Sequence, residues 1–315
     1  MVLSNTRTLK PPKRKMSKQE KRDTLILYAI FLPVMIHIIL FCYVPMYGIV
    51  IAFQDYAPGS SFFSLDAKWV GLKHFANFIS SEYFWRLIRN TVTLSGLNLV
   101  LGFLAPVAFA LLLNEVRTIR YKKIVQTASY LPHFISMVVV ASMVMTLLAE
   151  DGMFGQIAHI LGIQPIQYNT DPAVFPWVYV ITNIWVSFGW NSIIYMASIS
   201  GIDPGLYEAA RVDGATRWEQ MWHITLPAIK GTMFILLIFA IGGLLNANTE
   251  FILLMYNPAI YETSDVIGTY VYRLGILGGK FSQTTAIGLF MQIINFSLLY
   301  ITNGVARKVE GYSLW

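Results

Sequence analysis

The sequence predicts an all-α integral membrane protein with six transmembrane helices, and three observations carry that reading. Of 315 residues, 56% are hydrophobic and only 13% charged, with a mean hydropathy of +0.56, too apolar for a soluble domain. Six stretches reach the roughly 20 mainly apolar residues that a helix needs to cross a bilayer: residues 25–53, 91–113, 124–148, 174–199, 228–255 and 284–305. The third observation is where the basic residues fall. With a cytoplasmic N-terminus, segments 1–24, 114–123, 200–227 and 306–315 hold sixteen of the 23 Lys and Arg, and Lys230 at a membrane edge makes seventeen. The outer loops keep Lys68, Lys73, Arg86, Arg89, Arg273 and Lys280, which is the positive-inside bias. Both termini are therefore expected in the cytoplasm.

Taken in order, residues 1–24 form a basic tail with eight Lys and Arg. The apolar run behind it is longer than a signal-peptide core and lacks a small-residue cleavage site. It reads as an uncleaved cytoplasmic tail and first span, with the tail's charges near anionic lipid headgroups. The outer loop 54–90 contains FQDYAPG and then WVGLKHFANFISSEYFWRLIRN. Its Phe75, Phe78, Ile79 and Phe84 can form the apolar side of an interfacial helix. Between the third and fourth spans a short helical pattern, 154–161, ends at Gly162 and Pro165. The outer stretch 257–283 is rich in Tyr and Gly. These loops either pack over helix ends or contact an external partner.

The fourth and fifth spans are separated by the most informative segment, EAARVDGATRWEQMWHITLP at 208–227. Asp203 suits the N-cap of a first short helix, with Pro204 in its first turn and Gly214 just past its end. Thr216 and Glu219 have the spacing of a capping box for a second helix, which Pro227 is expected to stop as the next span begins. The segment 203–229 has four acids against two arginines, the wrong sign for nucleic acid. The pI near 9.2 reports topology rather than an acidic partner.

This hairpin resembles the EAA loop of ABC importer permeases, whose pattern is EAA, three residues, Gly, nine residues, then I-x-L-P. Glu208, Ala209, Ala210, Gly214, Ile224, Leu226 and Pro227 match every fixed position. The wider layout is similar to the sugar-importing permeases related to the larger maltose-transporter subunit, and most of all to the LplB-type branch for polysaccharide and oligosaccharide uptake. YLPHFIS at 130–136, WNSIIYMASISGIDPGLYEAARVDGATRW at 190–218 and YNPAIYETSDVIGTYVYR at 256–273 carry that likeness. A maltose-type large subunit has additional N-terminal spans and a large outer domain with no counterpart here, so its sugar site does not transfer directly.

The resemblance implies a type I ABC importer permease fold in a bacterial cell membrane, with a permease domain over 25–315 and a cytoplasmic coupling loop at about 201–227. It implies that the seven motif residues dock on an ATP-hydrolysing subunit. The expected partners are a second, similar permease, two ATPase subunits, a lipid-anchored solute-binding protein outside the cell, and a carbohydrate. ATP and Mg would be bound by the ATPases, and transport would proceed by alternating access. This chain has no G-x-x-x-x-G-K-[ST] motif, since Gly279-Lys280 is followed by Phe281, and no metal-ligand spacing among its histidines. Cys42 stands alone in the first span. No catalytic constellation emerges, so the chain is expected to be a non-enzymatic subunit that needs no cofactor of its own.

Polar groups inside spans mark a candidate pathway. The fourth span carries Asn183, Trp185, Ser187, Trp190, Asn191 and Tyr195; the fifth carries Asn246, Asn248, Thr249 and Glu250; the sixth offers Gln292 and Asn295. Aromatic faces beside amide donors and acceptors suit a carbohydrate stripped of its water. The neutral lining argues against a metal ion or a strongly anionic solute. The same residues also fit hydrogen bonds between helices and an interfacial aromatic belt. A secondary carrier or channel for a neutral polar solute is the alternative function, although the spans show no charged relay beyond Glu250.

Overall fold

The computed structural model describes residues 17–57, 59, 68–165, 167–311 and 313–314. Residues 1–16, most of the expected basic tail, lie outside the described residues. Among the described residues the chain is helical and irregular, with one isolated antiparallel bridge between Gln54 and Trp69. It divides at Val50 and Ile51 into two compact units.

The first unit is built on α1 (Lys18–Ile38), opened by a capping box in which Glu20 N donates to Ser17 Oγ and Ser17 N donates to Glu20 Oε2. A π-turn, Ile39–Tyr43, follows immediately before Val44 and Pro45. Proline has no N–H and its ring clashes with the carbonyl four residues back, so a widened turn is the least costly way to continue the helix. No side chain of α1 or of the π-turn is buried, and Leu25 and Phe41 are each about two-thirds exposed. A helix so apolar and so uncovered belongs in lipid or against another chain.

The second unit contains α2 (Lys73–Ile79), α3 (Phe84–Asn114), α4 (Ile119–Tyr130), α5 (Met137–Leu148), α6 (Met153–Ile160) and α7 (Phe175–Ser200). They are followed by α8 (Pro204–Val212), α9 (Arg217–Gln220), α10 (Lys230–Gly242), α11 (Thr249–Met255), α12 (Ile267–Val271) and α13 (Phe281–Glu310). α3 packs along α7, and two apolar cores flank that seam. One joins Leu94 to Val140, Tyr179, Phe251 and Ile252; the other joins Val107 and Ala110 to Tyr195, Ile199 and Ile229. A third core sets Phe78, Phe84 and Leu87 against Ile267 and Ile287. α4 meets α7 at Gly189, where a Cβ would lie 2.1 Å from the Ser129 carbonyl oxygen, so no side chain fits.

Two expected spans are interrupted. Within 124–148, α4 gives way to a 3₁₀ turn, Leu131–Phe134, because Pro132 cannot donate the next helical bond. Ile135 is extended, and Ser136 starts α5 afresh by accepting from Val139 N. Within 228–255 the helix stops at Gly242 and resumes at Thr249.

Among the described residues, four helical stretches are long and apolar enough to cross a membrane: Lys18–Phe53, Phe84–Asn114, Met137–Ile160 and Phe281–Lys308. A fifth is added if Arg217–Ala228 and Lys230–Gly242, bent by 58°, form one span. α7 has the length, 26 residues or ~39 Å at about 1.5 Å per residue, but its Asn, Ser and aromatic side chains keep it outside that apolar set.

Candidate functional site

A cavity of about 470 Å³ opens between α3, α7, α10 and the non-helical stretch 243–248. Ser187, Asn191 and Tyr195 reach it from α7, since a spacing of four places them on one helix face. Asn246 and Asn248 reach it from the helix break, and Phe103, Leu236 and Phe239 add apolar wall. None of its lining residues is charged.

Two further polar members, Ser95 and Asn98, come from α3 and are absent from the sequence-based candidates. Their spacing with Gly102 puts all three on one face of the second span, which is the signal that would have found them. Ser95 is buried, and among the described residues its Oγ has no hydrogen-bond partner.

The remaining candidates lie elsewhere. Asn295 is buried beside the break, where its Oδ1 accepts from Leu245 N at 3.1 Å and its Nδ2 donates to Asn246 Oδ1 at 3.2 Å. Trp185 faces a separate apolar pocket of about 450 Å³ with Trp177 and Phe154. Trp190 stacks on His133, with ring centroids 4.5 Å apart and planes 6° apart. Gln292 is exposed on α13, and Glu250 is exposed in the first turn of α11.

The hairpin between α7 and α10 forms the caps expected of it. Asp203 Oδ1 accepts from Gly205 N at 2.9 Å, Pro204 occupies the first turn of α8, and Gly214 adopts φ +82°. Glu219 N donates to Thr216 Oγ1 at 3.3 Å while Thr216 N donates to Glu219 Oε2 at 2.7 Å. The Thr216 backbone N–H, then its hydroxyl, hold the Glu219 carboxyl below its ordinary pKa.

The end of the second helix differs from expectation. Pro227 does not stop it: a π-turn, Met221–Thr225, absorbs the proline, Leu226–Ala228 stays helical, and the break falls at Ile229. The widened turn moves the carbonyl that would clash with the ring, as it does before Pro45.

Tyr207 and Thr225 hydroxyls meet at 2.9 Å and tie the two legs of the hairpin together. Arg217 Nη1 donates to the Glu115 carbonyl at the C-terminal end of α3. Outward, Glu208, Ala209 and Pro227 are exposed, whereas Ala210, Ile224 and Leu226 are half-buried. Val212 is 88% exposed and Trp218 is 62% exposed, leaving a polar hairpin with an uncovered apolar edge.

At the N-terminal end of α3, ~46 Å from the hairpin by helix length, Asp265 is fully buried. It accepts from Arg273 Nη1 and Nη2, each at 2.8 Å, from Arg86 Nη2 at 3.1 Å, and from Thr269 Oγ1. Burial alone would lower the Arg273 pKa, but the bonds and charges of Asp265 and Tyr256 together outweigh it and hold the group above the ordinary arginine range. Sequence reading took these arginines as loop charges and missed their shared partner.

Residues 99–311 match the family model described as binding-protein-dependent transport system inner membrane component. The polygalacturonan/rhamnogalacturonan transport system permease protein YteP of Bacillus subtilis (strain 168) is 43% identical over 300 residues, 92% of this chain and 93% of YteP. LplB of the same organism is 39% identical, over 94% of this chain and 92% of LplB. Among solved structures, a chain of a bacterial ABC transporter that imports the acidic polysaccharide alginate is 42% identical. Its TM-score is 0.84, covering 93% of this chain and 98% of that one. A chain from the alginate transporter in complex with its pentasaccharide-bound periplasmic protein gives 0.85 at 41% identity, over 94% and 99%. With its apolar helices, this chain therefore belongs to the binding-protein-dependent transport system inner membrane component family, as a multi-pass ABC importer permease.

Proposed function

We propose that the chain is the permease subunit of an ATP-driven importer that carries an oligosaccharide derived from a polysaccharide. The observation that bears most on this is the neutral polar cavity, where Ser95, Asn98, Asn191, Asn246 and Asn248 face one space beside an interrupted helix. Non-helical backbone at membrane depth is tolerated where it lines such a cavity, and amides beside aromatic walls match sugar hydroxyls and ring faces. The names of the relatives point to the same class of cargo.

In this reading the chain crosses the membrane six times. The third span is α5 with its neighbours, the fourth is α7, and the fifth is the broken segment from Ala228 to Met255. The tail 1–24 and the C-terminus lie in the cytoplasm, and the permease domain spans 25–315. The hairpin at about 201–227 then faces a separate ATPase subunit, and Glu208, Ala209, Ala210, Gly214, Ile224, Leu226 and Pro227 form its docking element. A second permease completes the pathway, two ATPases bind ATP and Mg, and an external solute-binding protein delivers the sugar. Because a ligand shifts only states it contacts differently, ATP acts on the cavity through the hairpin. The chain itself performs no bond chemistry.

A second reading narrows the substrate to an acidic oligosaccharide. It is favoured by 42% identity to a chain of the alginate importer. The uncharged cavity runs against it, unless the second permease supplies the countercharge. Uptake by intact cells of galacturonate, alginate and neutral gluco-oligosaccharides of matched length tests both. Uptake of only the acidic sugars selects the second reading, uptake of neutral ones the first, and uptake of none removes the carbohydrate assignment.

A further inference from the structure

We propose that Asn183 and Asn295 are positioning residues for substrate passage: from two different helices they clamp the break at 243–248, Asn183 fixing Asn248 in the cavity wall and Asn295 aiming the amide of Asn246 at the cavity. This rests on the cavity being the sugar pathway.

The break leaves backbone amides that a continuous helix would have paired internally. Two of them go to side chains of other helices. Leu245 N donates to Asn295 Oδ1 on α13 at 3.1 Å, and Asn248 N donates to Tyr179 Oη on α7 at 2.9 Å. Each side also grips a cavity-lining side chain. Asn295 Nδ2 donates to Asn246 Oδ1 at 3.2 Å, and Asn183 Oδ1 accepts from Asn248 Nδ2 at 2.9 Å. Asn183 has no freedom to turn its amide over, because its own Nδ2 donates to the Tyr179 carbonyl at 2.8 Å. Asn248 Oδ1 is committed as well, accepting from Phe251 N to start α11 at 3.2 Å.

The consequence is directional. With its oxygen held by Asn295, Asn246 presents its NH₂ group as the free end. That nitrogen lies near Gly243, itself a lining residue, 4.0 Å from where a Cβ would stand. Asn246 therefore offers a donor to an acceptor oxygen of the sugar, whether hydroxyl, ring oxygen or carboxylate. An uninterrupted apolar helix would need none of these five polar side chains. All of them converge on one six-residue gap, and Tyr179, Asn246 and Asn248 line the cavity itself.

The test uses the assembled transporter, with its ATPases and second permease, carrying Asn295→Ala, Asn183→Ala, Asn246→Ala, the Asn295→Ala/Asn246→Ala pair, or Ser95→Ala. Hydrogen exchange over 243–251 needs no substrate. Asn295→Ala should speed exchange of the Leu245 amide, which Asn295 holds directly, at least tenfold, and Asn183→Ala that of the Phe251 amide, whose acceptor Asn248 Oδ1 is kept in place by Asn183, while Ser95→Ala leaves both protected. Unchanged protection in the clamp variants overturns the proposal. In uptake assays with whichever oligosaccharide the wild type carries, Asn295→Ala and Asn246→Ala should each lower the rate about tenfold. The pair should be no worse than Asn246→Ala alone, because Asn295 acts through Asn246. Additive losses would mean that Asn295 serves only the fold. If Ser95→Ala and Asn246→Ala transport normally, the cavity reading fails; if they are impaired while Asn183→Ala and Asn295→Ala are not, the clamp alone fails.

Discussion

Arg217, at the start of the hairpin's second helix, donates to the main-chain carbonyl of Glu115 at 3.2 Å, with the two side chains 4.0 Å apart. Glu115 caps the C-terminus of α3, the helix that carries Ser95 and Asn98 into the cavity. This contact gives the hairpin a physical grip on the cavity wall. Arg217→Ala should reduce uptake several-fold while changing thermal stability by less than about 1 kcal/mol, as expected for an exposed pair. Uptake and melting temperature measured on one preparation separate the two effects.

Gly214 turns the hairpin at φ +82°, a conformation closed to proline, whose ring fixes φ near −65°. Gly214→Pro should abolish uptake while the protein still inserts. Glu208→Lys, which reverses an exposed charge on the same element, should do likewise. Membrane abundance measured beside transport decides; normal transport by either variant contradicts the docking role.

The capping box predicts a pH response. Glu219 has a folded-state pKa below its ordinary 4.5, so its contribution to hairpin stability is present above that value and is lost as pH falls through the depressed one. The protection of the 216–220 amides, taken relative to their intrinsic exchange at each pH, should stay high at neutral pH and fall on acidification below the ordinary carboxylate range. In Thr216→Ala that protection should already be low at neutral pH and respond less to acid.

Asp265 is enclosed by Arg86 and Arg273, and its removal would strand two partly buried guanidinium groups. Asp265→Ala should destabilise the protein by about 3 kcal/mol, toward the low end for a broken buried pair because both arginines keep some solvent contact. Thermal unfolding of the purified complex measures it.

Asn191→Ala should lower uptake more than it lowers ATP hydrolysis, because Asn191 lines the cavity and not the hairpin. Equal uptake at equal expression would make it a helix-packing residue instead.

Much of this arrangement is legible in the sequence, for identifiable reasons. Capping is local, so Asp203, Gly214, Thr216 and Glu219 fall where their spacing puts them. The long apolar run 284–305 becomes a single helix because no proline interrupts its helical hydrogen bonding, and 91–113 stays one helix even across Pro106. The interruptions at Pro132 and after Gly242 were hidden, since hydropathy reports burial in lipid and not backbone continuity. Pro227 misled because the preceding π-turn, which relieves the proline, leaves no mark in the pattern. Among the candidates, Asn191 and Asn248 reach the cavity while Trp185, Trp190 and Gln292 do not. A polar residue in a span shows only that it avoids lipid, and the face it takes is set by packing. The Arg86–Asp265–Arg273 cluster joins residues some 180 positions apart in sequence, a pairing that no local signal carries.

The central claim is that this chain works as one part of an ATP-driven importer. Affinity purification of the tagged chain from native membranes in mild detergent, with partners identified by mass spectrometry, tests it most directly. The account predicts recovery of an ATPase and a second permease in stoichiometric amounts, and their loss from the Glu208→Lys and Gly214→Pro variants in the case of the ATPase. Repeated recovery of the chain alone, in a form that still transports, would contradict it and point to a carrier or channel.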